Sequence, residues 1–110
     1  MEITYKKRQN ILFIYLEGEL DHHQAKQTME RIGQIMCLHM DCSIVLDFNK
    51  IRFMDSSGIA VAMNVWNNAK RQNAQFAIQN VPDYAFKVFQ AAGMDRILTI
   101  LPKKKEETSC

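Results

Sequence analysis

Asp55-Ser56-Ser57-Gly58 is the stretch of this 110-residue chain whose residue types most invite chemistry. A carboxylate, two hydroxyls and a glycine in a row suit a nucleophile, a helix cap or a modification site. His22 and His23 could supply a base. A serine nucleophile on a strand-to-helix turn is framed as G-x-S-x-G, with glycines two positions to either side. Met54 occupies the first of those places for Ser56, so the pattern is absent. Neither a third triad member nor an oxyanion hole is evident, which argues against a hydrolase.

A metal is the next candidate. Cys37, His39 and Cys42 form C-x-H-x-x-C, but a structural zinc needs a fourth ligand and none is near. The three cysteines are odd in number and include no C-x-x-C pair. That argues against a disulfide framework and for a reducing cytoplasm. Cys37 then reads as a helix residue and Cys42 as part of a loop or its neighbour. The four glycines, at 18, 33, 58 and 93, are too scattered to cradle phosphates. No cofactor is implied. Trp66, Phe76, Phe86 and Phe89 do not interleave with a basic patch and read as core or near-core packing.

Composition narrows the class further. Apolar residues make up 47% and charged residues 24%, ordinary for one globular domain. The net charge is +2, and Lys103-Lys104-Lys105 with Glu106-Glu107 belong to the tail. The remainder is nearly neutral, too weak a footprint for nucleic acid. MEITYKKRQ has no signal-peptide character. The longest apolar run, Ile11 to Leu16, is far shorter than a membrane span.

The elements that must position these residues follow from periodicity. Ile3 and Tyr5 alternate with Thr4 and Lys6, as in a half-buried strand. Lys7 to Asn10 is a polar turn, so the next strand pairs antiparallel. That strand, residues 11–16, is apolar on both parities and is expected to be covered on much of both faces. Asp21 suits a helix N-cap, with Gln24 placed for a capping box. Ala25, Met29, Ile32 and Met36 form the stripe of a helix that runs to about Leu38. Residues 43–48 read as a strand, 49–54 as a connection with buried anchors, and 55–58 as the start of a second helix ending at Lys70-Arg71. Residues 74–78 are a short strand. Pro82 begins a third helix, which Gly93 terminates. Residues 97–101 are the last strand, and Pro102 ends it. The order ββαβαβαβ means an α/β domain over 3–101 with a mixed sheet, followed by a charged tail over 102–110.

On this scaffold Asp55-Ser56-Ser57-Gly58 opens a helix. The plain reading is a cap, with Asp or Ser bonding an orphan N–H and Gly58 easing the turn. A hydroxyl held there also suits phosphorylation. Free N–H groups and the positive end of the helix dipole would receive the anion. The added charge of about −1.5 to −2 would change what docks while leaving the fold intact.

GELDHHQA at 18–25 and FMDSSGIAV at 53–61 resemble the STAS family, in particular bacterial anti-sigma factor antagonists, with members that act in sporulation the nearest likeness. VFQAAGMDRIL at 88–98 is similar to the family's final helix, glycine and short strand. The likeness covers residues 3 to 101. It implies that Ser56, the first serine after the aspartate, is the phosphoacceptor. It implies a partner-binding surface of Asp21, Asp55, Ser56, Ser57 and Gly58. It further implies an anti-sigma factor of the histidine-kinase-like ATPase type that binds the unmodified form, releases sigma and acts as serine kinase. A metal-dependent serine phosphatase restores the unmodified state. The chain itself is then a cytoplasmic protein without catalysis, a monomer when free. The alternative is a STAS scaffold subunit of a stress-signalling or lipid-transport assembly. Ala60 and Asn73-Ala74 depart from the family, standing where glycines are often found.

Overall fold

Gln9 and Asn10 turn the chain between the first two strands, and Gln9 takes the left-handed conformation with φ 54°. The computed structural model describes residues 1–104. Strand β1 (Glu2–Arg8) runs antiparallel to β2 (Ile11–Leu20), with Glu2 opposite Glu17 and Arg8 opposite Ile11. Three right-handed units follow: α1 (His22–Cys37) to β3 (Ser43–Met54), α2 (Ser57–Arg71) to β4 (Phe76–Val81), and α3 (Asp83–Ala91) to β5 (Thr99–Pro102). Each new strand lies parallel to the last, in the order β1-β2-β3-β4-β5. The expected ββαβαβαβ order and mixed α/β sheet are borne out.

Because every crossover steps the same way, all three helices fall on one face of the sheet. Leu12, Ile14 and Leu16 of β2, Ile44, Leu46 and Phe48 of β3, and Ile78 of β4 point into that layer and are buried. Burying side chains of this kind is worth about 1.5–3 kcal/mol each, so this layer dominates the stability. Ile32, Ile35 and Met36 of α1 and Val61, Ala62 and Val65 of α2 meet them from above. Phe89 of α3 packs on Phe48 with ring centroids 5.9 Å apart.

Among the described residues nothing covers the opposite face. Phe13 is half-buried there and Tyr15 is 36% exposed. The expectation that β2 is covered on much of both faces is therefore wrong. Apolar residues on both parities mark a strand that packs on one side and leaves two aromatic rings open on the other.

Several boundaries also move. Strand β2 continues to Leu20, and β3 continues through residues 49–54, where a connection is expected. Two irregularities let them stay paired: Tyr15 faces Asp47, yet Glu17 faces Lys50, and Gly18 faces Ile51, yet Glu19 faces Phe53. Each extra residue on β3 flips its side-chain parity, so a period-2 pattern is lost although the strand persists. Gly18 sits between the two shifts with φ 128°, a conformation costly for other residues. Strand β4 spans 76–81 rather than 74–78. Pro82 is the N-cap of α3 rather than its first residue. Ile97 follows a 3-10 turn (Met94–Arg96), so β5 starts at Thr99 and includes Pro102. The tail expected over 102–110 thus begins inside a strand, and residues 105–110 lie outside the described residues.

Candidate functional site

Parallel pairing of β2 and β3 decides where the site lies. Leu20 faces Met54 at the carboxyl ends of the two strands, and Asp55 N–H reaches Leu20 O at 3.4 Å. The next residues open α1 and α2, so both helix N-termini stand side by side at one edge. This is the usual place for function in a parallel sheet, where the positive ends of helices gather. The structure brings together Asp21, Asp55, Ser56, Ser57 and Gly58, as expected from the sequence. His22 and His23 occupy the exposed first turn of α1 at the same edge.

Asp21 is a true N-cap. Its backbone is extended, and Oδ1 accepts from the N–H groups of His23 and Gln24, each at 3.0 Å. The expected capping box is only half made. Gln24 does not reach back; its Oε1 accepts from the Met1 amine at 3.2 Å.

Asp55 works differently. It sits one residue before the N-cap of α2, and its Oδ1 accepts the Ser57 N–H at 2.8 Å. This Ser57 N–H bond is the main reason the carboxyl is held below its ordinary value of 3.8, against a smaller opposing effect of burial. The Ser57 hydroxyl, the His22 N–H and the His22 ring add lesser stabilisation of the charged form. Asp55 therefore caps the start of α2 from a place beside the start of α1.

Ser56 is the N-cap residue by position, yet its side chain makes no capping bond and is exposed. Ser57 is half-buried, and its backbone N–H is bonded to Asp55 Oδ1. The two adjacent serines are thus unequal: Ser56 is exposed and Ser57 is half-buried. The expectation of free N–H groups for an added anion needs correction. Ser57 N–H is taken by Asp55 Oδ1, Gly58 N–H by Asp55 O at 3.0 Å, and Ile59 N–H by Ser56 O at 3.1 Å. The helix dipole remains, but these first-turn N–H groups are not open to a group attached to Ser56.

Gly58 is buried, so it presents no surface of its own. A Cβ there would lie 2.4 Å from both Cγ and Sδ of Met54, itself 4% exposed. Glycine lets α2 start hard against the end of β3. Residue types alone hide this contact, because residues 54 and 58 meet through the turn rather than along one element. Phe53, 47% exposed at the same end of β3, is a further part of this edge that the sequence does not announce. The apolar pair Phe53-Met54 before DSSG offers no sign that this ring stays in solvent.

The rejected metal motif lies far away. Cys37, His39 and Cys42 sit at the opposite end of α1, where the His39 ring packs on Tyr5 with centroids 5.3 Å apart. Among the described residues, no three possible ligands gather into a metal site. No described helix is long and apolar enough to cross a membrane.

The family model of the STAS domain matches residues 2–107. The chain belongs to the STAS family. It is 28% identical over 104 residues to an anti-sigma F factor antagonist of Paenibacillus polymyxa, covering 91% of this chain and 86% of the relative. Among solved structures it is similar to the antagonist SpoIIAA in its unphosphorylated form. There the TM-score is 0.73 and the identity 23%, over 96% of this chain and 90% of the other. The phosphorylated form of the Bacillus cell fate determinant SpoIIAA matches with a TM-score of 0.66 and 22% identity, over 96% and 93% of the two chains. At these identities the structural likeness establishes the shared STAS fold, a five-stranded mixed sheet with three α-helices.

Proposed function

We propose that this STAS protein is an anti-sigma factor antagonist that is switched off by phosphorylation of Ser56. The observation that carries the reading is the inequality of the two serines: Ser56 is exposed and unbonded at a helix start, whereas Ser57 is half-buried with its N–H bonded to Asp55. The 28% identical relative named anti-sigma F factor antagonist supports the same role. In the unmodified state the edge formed by Asp21, Asp55 and Ser56 docks on a kinase-type anti-sigma factor, which lets go of sigma. The partner supplies ATP and transfers the phosphoryl group to the Ser56 hydroxyl; a serine phosphatase removes it. The chain performs no catalysis and acts in the cytoplasm.

The physics of the switch is local. A phosphate on Ser56 would join the carboxylates of Asp21 and Asp55 on one edge, where the first-turn N–H groups are already used. Like-charge crowding and bulk then oppose docking on a closely fitted surface. A loss of about 3 kcal/mol is enough for a hundredfold drop in affinity.

Incubation with a candidate anti-sigma kinase and ATP, followed by intact mass and peptide mapping, tests the acceptor. One phosphate on Ser56 is expected, and none on Ser56→Ala. Phosphate on Ser57 would overturn the assignment. Calorimetry tests the switch: Ser56→Asp should bind the anti-sigma factor about 1–3 kcal/mol more weakly than Ser56→Ala. Equal affinity of the two variants would rule out a charge switch.

A further inference from the structure

The face of the sheet that no helix covers has a polarity along its strands. On β1 the residues facing this side are Glu2, Thr4, Lys6 and Arg8, all exposed. The strand therefore runs from a carboxylate at one end to two cations at the other. Beside it β2 presents Phe13 and Tyr15, whose rings stack with centroids 6.4 Å apart, and then Glu17. Val45 of β3 and Ala77 of β4, both half-buried, extend the apolar middle.

Carboxylates outnumber cations at the acidic end. Glu2 stands directly opposite Glu17 on the antiparallel pair, a like-charge arrangement that disfavours pairing. Neither forms an ion pair among the described residues, where one pair joins Asp83 and Lys87 at 3.4 Å. Asp47, in the same region, is satisfied: it accepts from Asn49 N–H, Gln79 and Asn80 at 2.8, 2.9 and 2.8 Å. A cavity of about 490 Å³ indents this end, lined by Glu2, Tyr15, Glu17, Asp47, Asn49 and Lys50. Lys50, in register with Glu17, sets one cation against three carboxylates, so the cavity stays net acidic. Lys6 and Arg8, at the other end of the same face, are also without a carboxylate partner among the described residues.

The spacing of these groups is self-complementary. Tyr5 stands opposite Ile14, midway between the Glu2–Glu17 rung and the Arg8–Ile11 rung. A two-fold axis crossing the strands at that level would lay β1 of one copy antiparallel over β1 of the other. Arg8 of each would meet the Glu2–Glu17 pair of its mate. Phe13 of each would meet Tyr15 of its mate. We propose that the open sheet face is a self-association surface, on which a second copy of this chain docks face to face and places Arg8 in the acidic cavity. Packing of two sheets at about 10 Å with nearly aligned strands is an ordinary arrangement, and the Tyr15 ring offers the guanidinium an aromatic wall. Four strands about 4.8 Å apart and seven residues of about 3.3 Å each project roughly 450 Å² per copy. This is about half of a standard interface of ~800 Å² per partner, so the dimer is weak and reversible. The surface lies across the sheet from the helices and does not depend on Ser56.

Sedimentation velocity over a concentration series reads the outcome. The wild type is expected to move from monomer toward dimer at roughly 100 μM, and to revert in high salt as the Debye length falls to about 3 Å near 1 M. Glu2→Arg and Arg8→Glu should each remain monomeric alone, since each sets like charges against one another where the two copies meet. Mixed together they should form the heterodimer, because at both contacts a cation of the first variant then meets a carboxylate of the second. Both sites are exposed, and melting near wild type confirms that the variants fold. A wild type that stays monomeric throughout the series would overturn the proposal. So would single variants that dimerise as well as the wild type, or a mixture that shows no association.

Discussion

Two helices begin side by side at one edge of this molecule, each announced by an aspartate, and they begin in opposite ways. Asp21 holds the N-cap position of α1 itself and takes two backbone N–H groups. Asp55 holds the position before the N-cap of α2 and takes one, leaving Ser56 at the cap with its hydroxyl unused. The first arrangement maximises the satisfaction of a helix end. The second gives up a side-chain cap and gains an exposed hydroxyl held on a rigid turn. One residue of difference in where the aspartate sits separates a structural start from one that can be modified.

The largest effect that would break this contrast lies under the α2 turn. Gly58→Ala places a Cβ against the buried Met54 side chain, and overpacking of this kind costs about 1–3 kcal/mol. Urea denaturation should show that loss, and Gly58→Ala combined with Met54→Ala should lose less than the sum of the two single variants. Next comes the α1 start. Asp21→Ala removes both capping bonds and is expected to cost ~1 kcal/mol, or roughly 4–8 °C in Tm, whereas Asp21→Asn should melt near wild type.

Asp55→Asn sharpens the comparison through pH. The folded-state pKa of Asp55 is lowered, so its stabilisation is complete above the unfolded value and lost as pH falls through the folded one. Wild-type urea midpoints should therefore decline below pH 3.8 more steeply than those of Asp55→Asn, which still accepts the Ser57 N–H. If Asp55 also faces the partner, the same variant should be phosphorylated poorly while melting near wild type at neutral pH. The smallest effect belongs to Ser56→Ala. Replacing a capping serine commonly costs about 1 kcal/mol. Here the hydroxyl makes no capping bond, so a change within about 0.5 kcal/mol is expected. A full capping loss in thermal melts would show that Ser56 resembles Asp21 after all.

Much of the fold is legible without coordinates. Ala25, Ile32 and Met36 on one helical stripe, and the alternation of strands and helices after one hairpin, lead to the correct element order. The edge holding Asp21, Asp55 and Ser56 is legible too, through the GELDHH and FMDSSG stretches. Residues 49–54 are not, because two register shifts erase the alternation by which a strand is recognised. The open face is not legible either. Ile11 to Leu16 is apolar on both parities, and the same composition serves a strand packed on two sides or on one. The distinction between Ser56 and Ser57 is resolved only by the half-burial of Ser57 and the bond from its N–H to Asp55.

Local chemistry written along the chain determined the helices, the hairpin, the Asp21 cap and the placing of an aspartate and two serines at a helix start. These features depend on residues within one or two turns of each other, so periodicity and side-chain type suffice. The tertiary structure alone decided that all the helices share one face, because that follows from every crossover stepping the same way. It alone set α1 and α2 side by side through the pairing of Leu20 with Met54, and Gly58 against Met54 across the turn. Whether a serine is half-buried or left to solvent depends on backbone geometry at a turn, and that geometry is settled only when β2, β3 and both helices have packed.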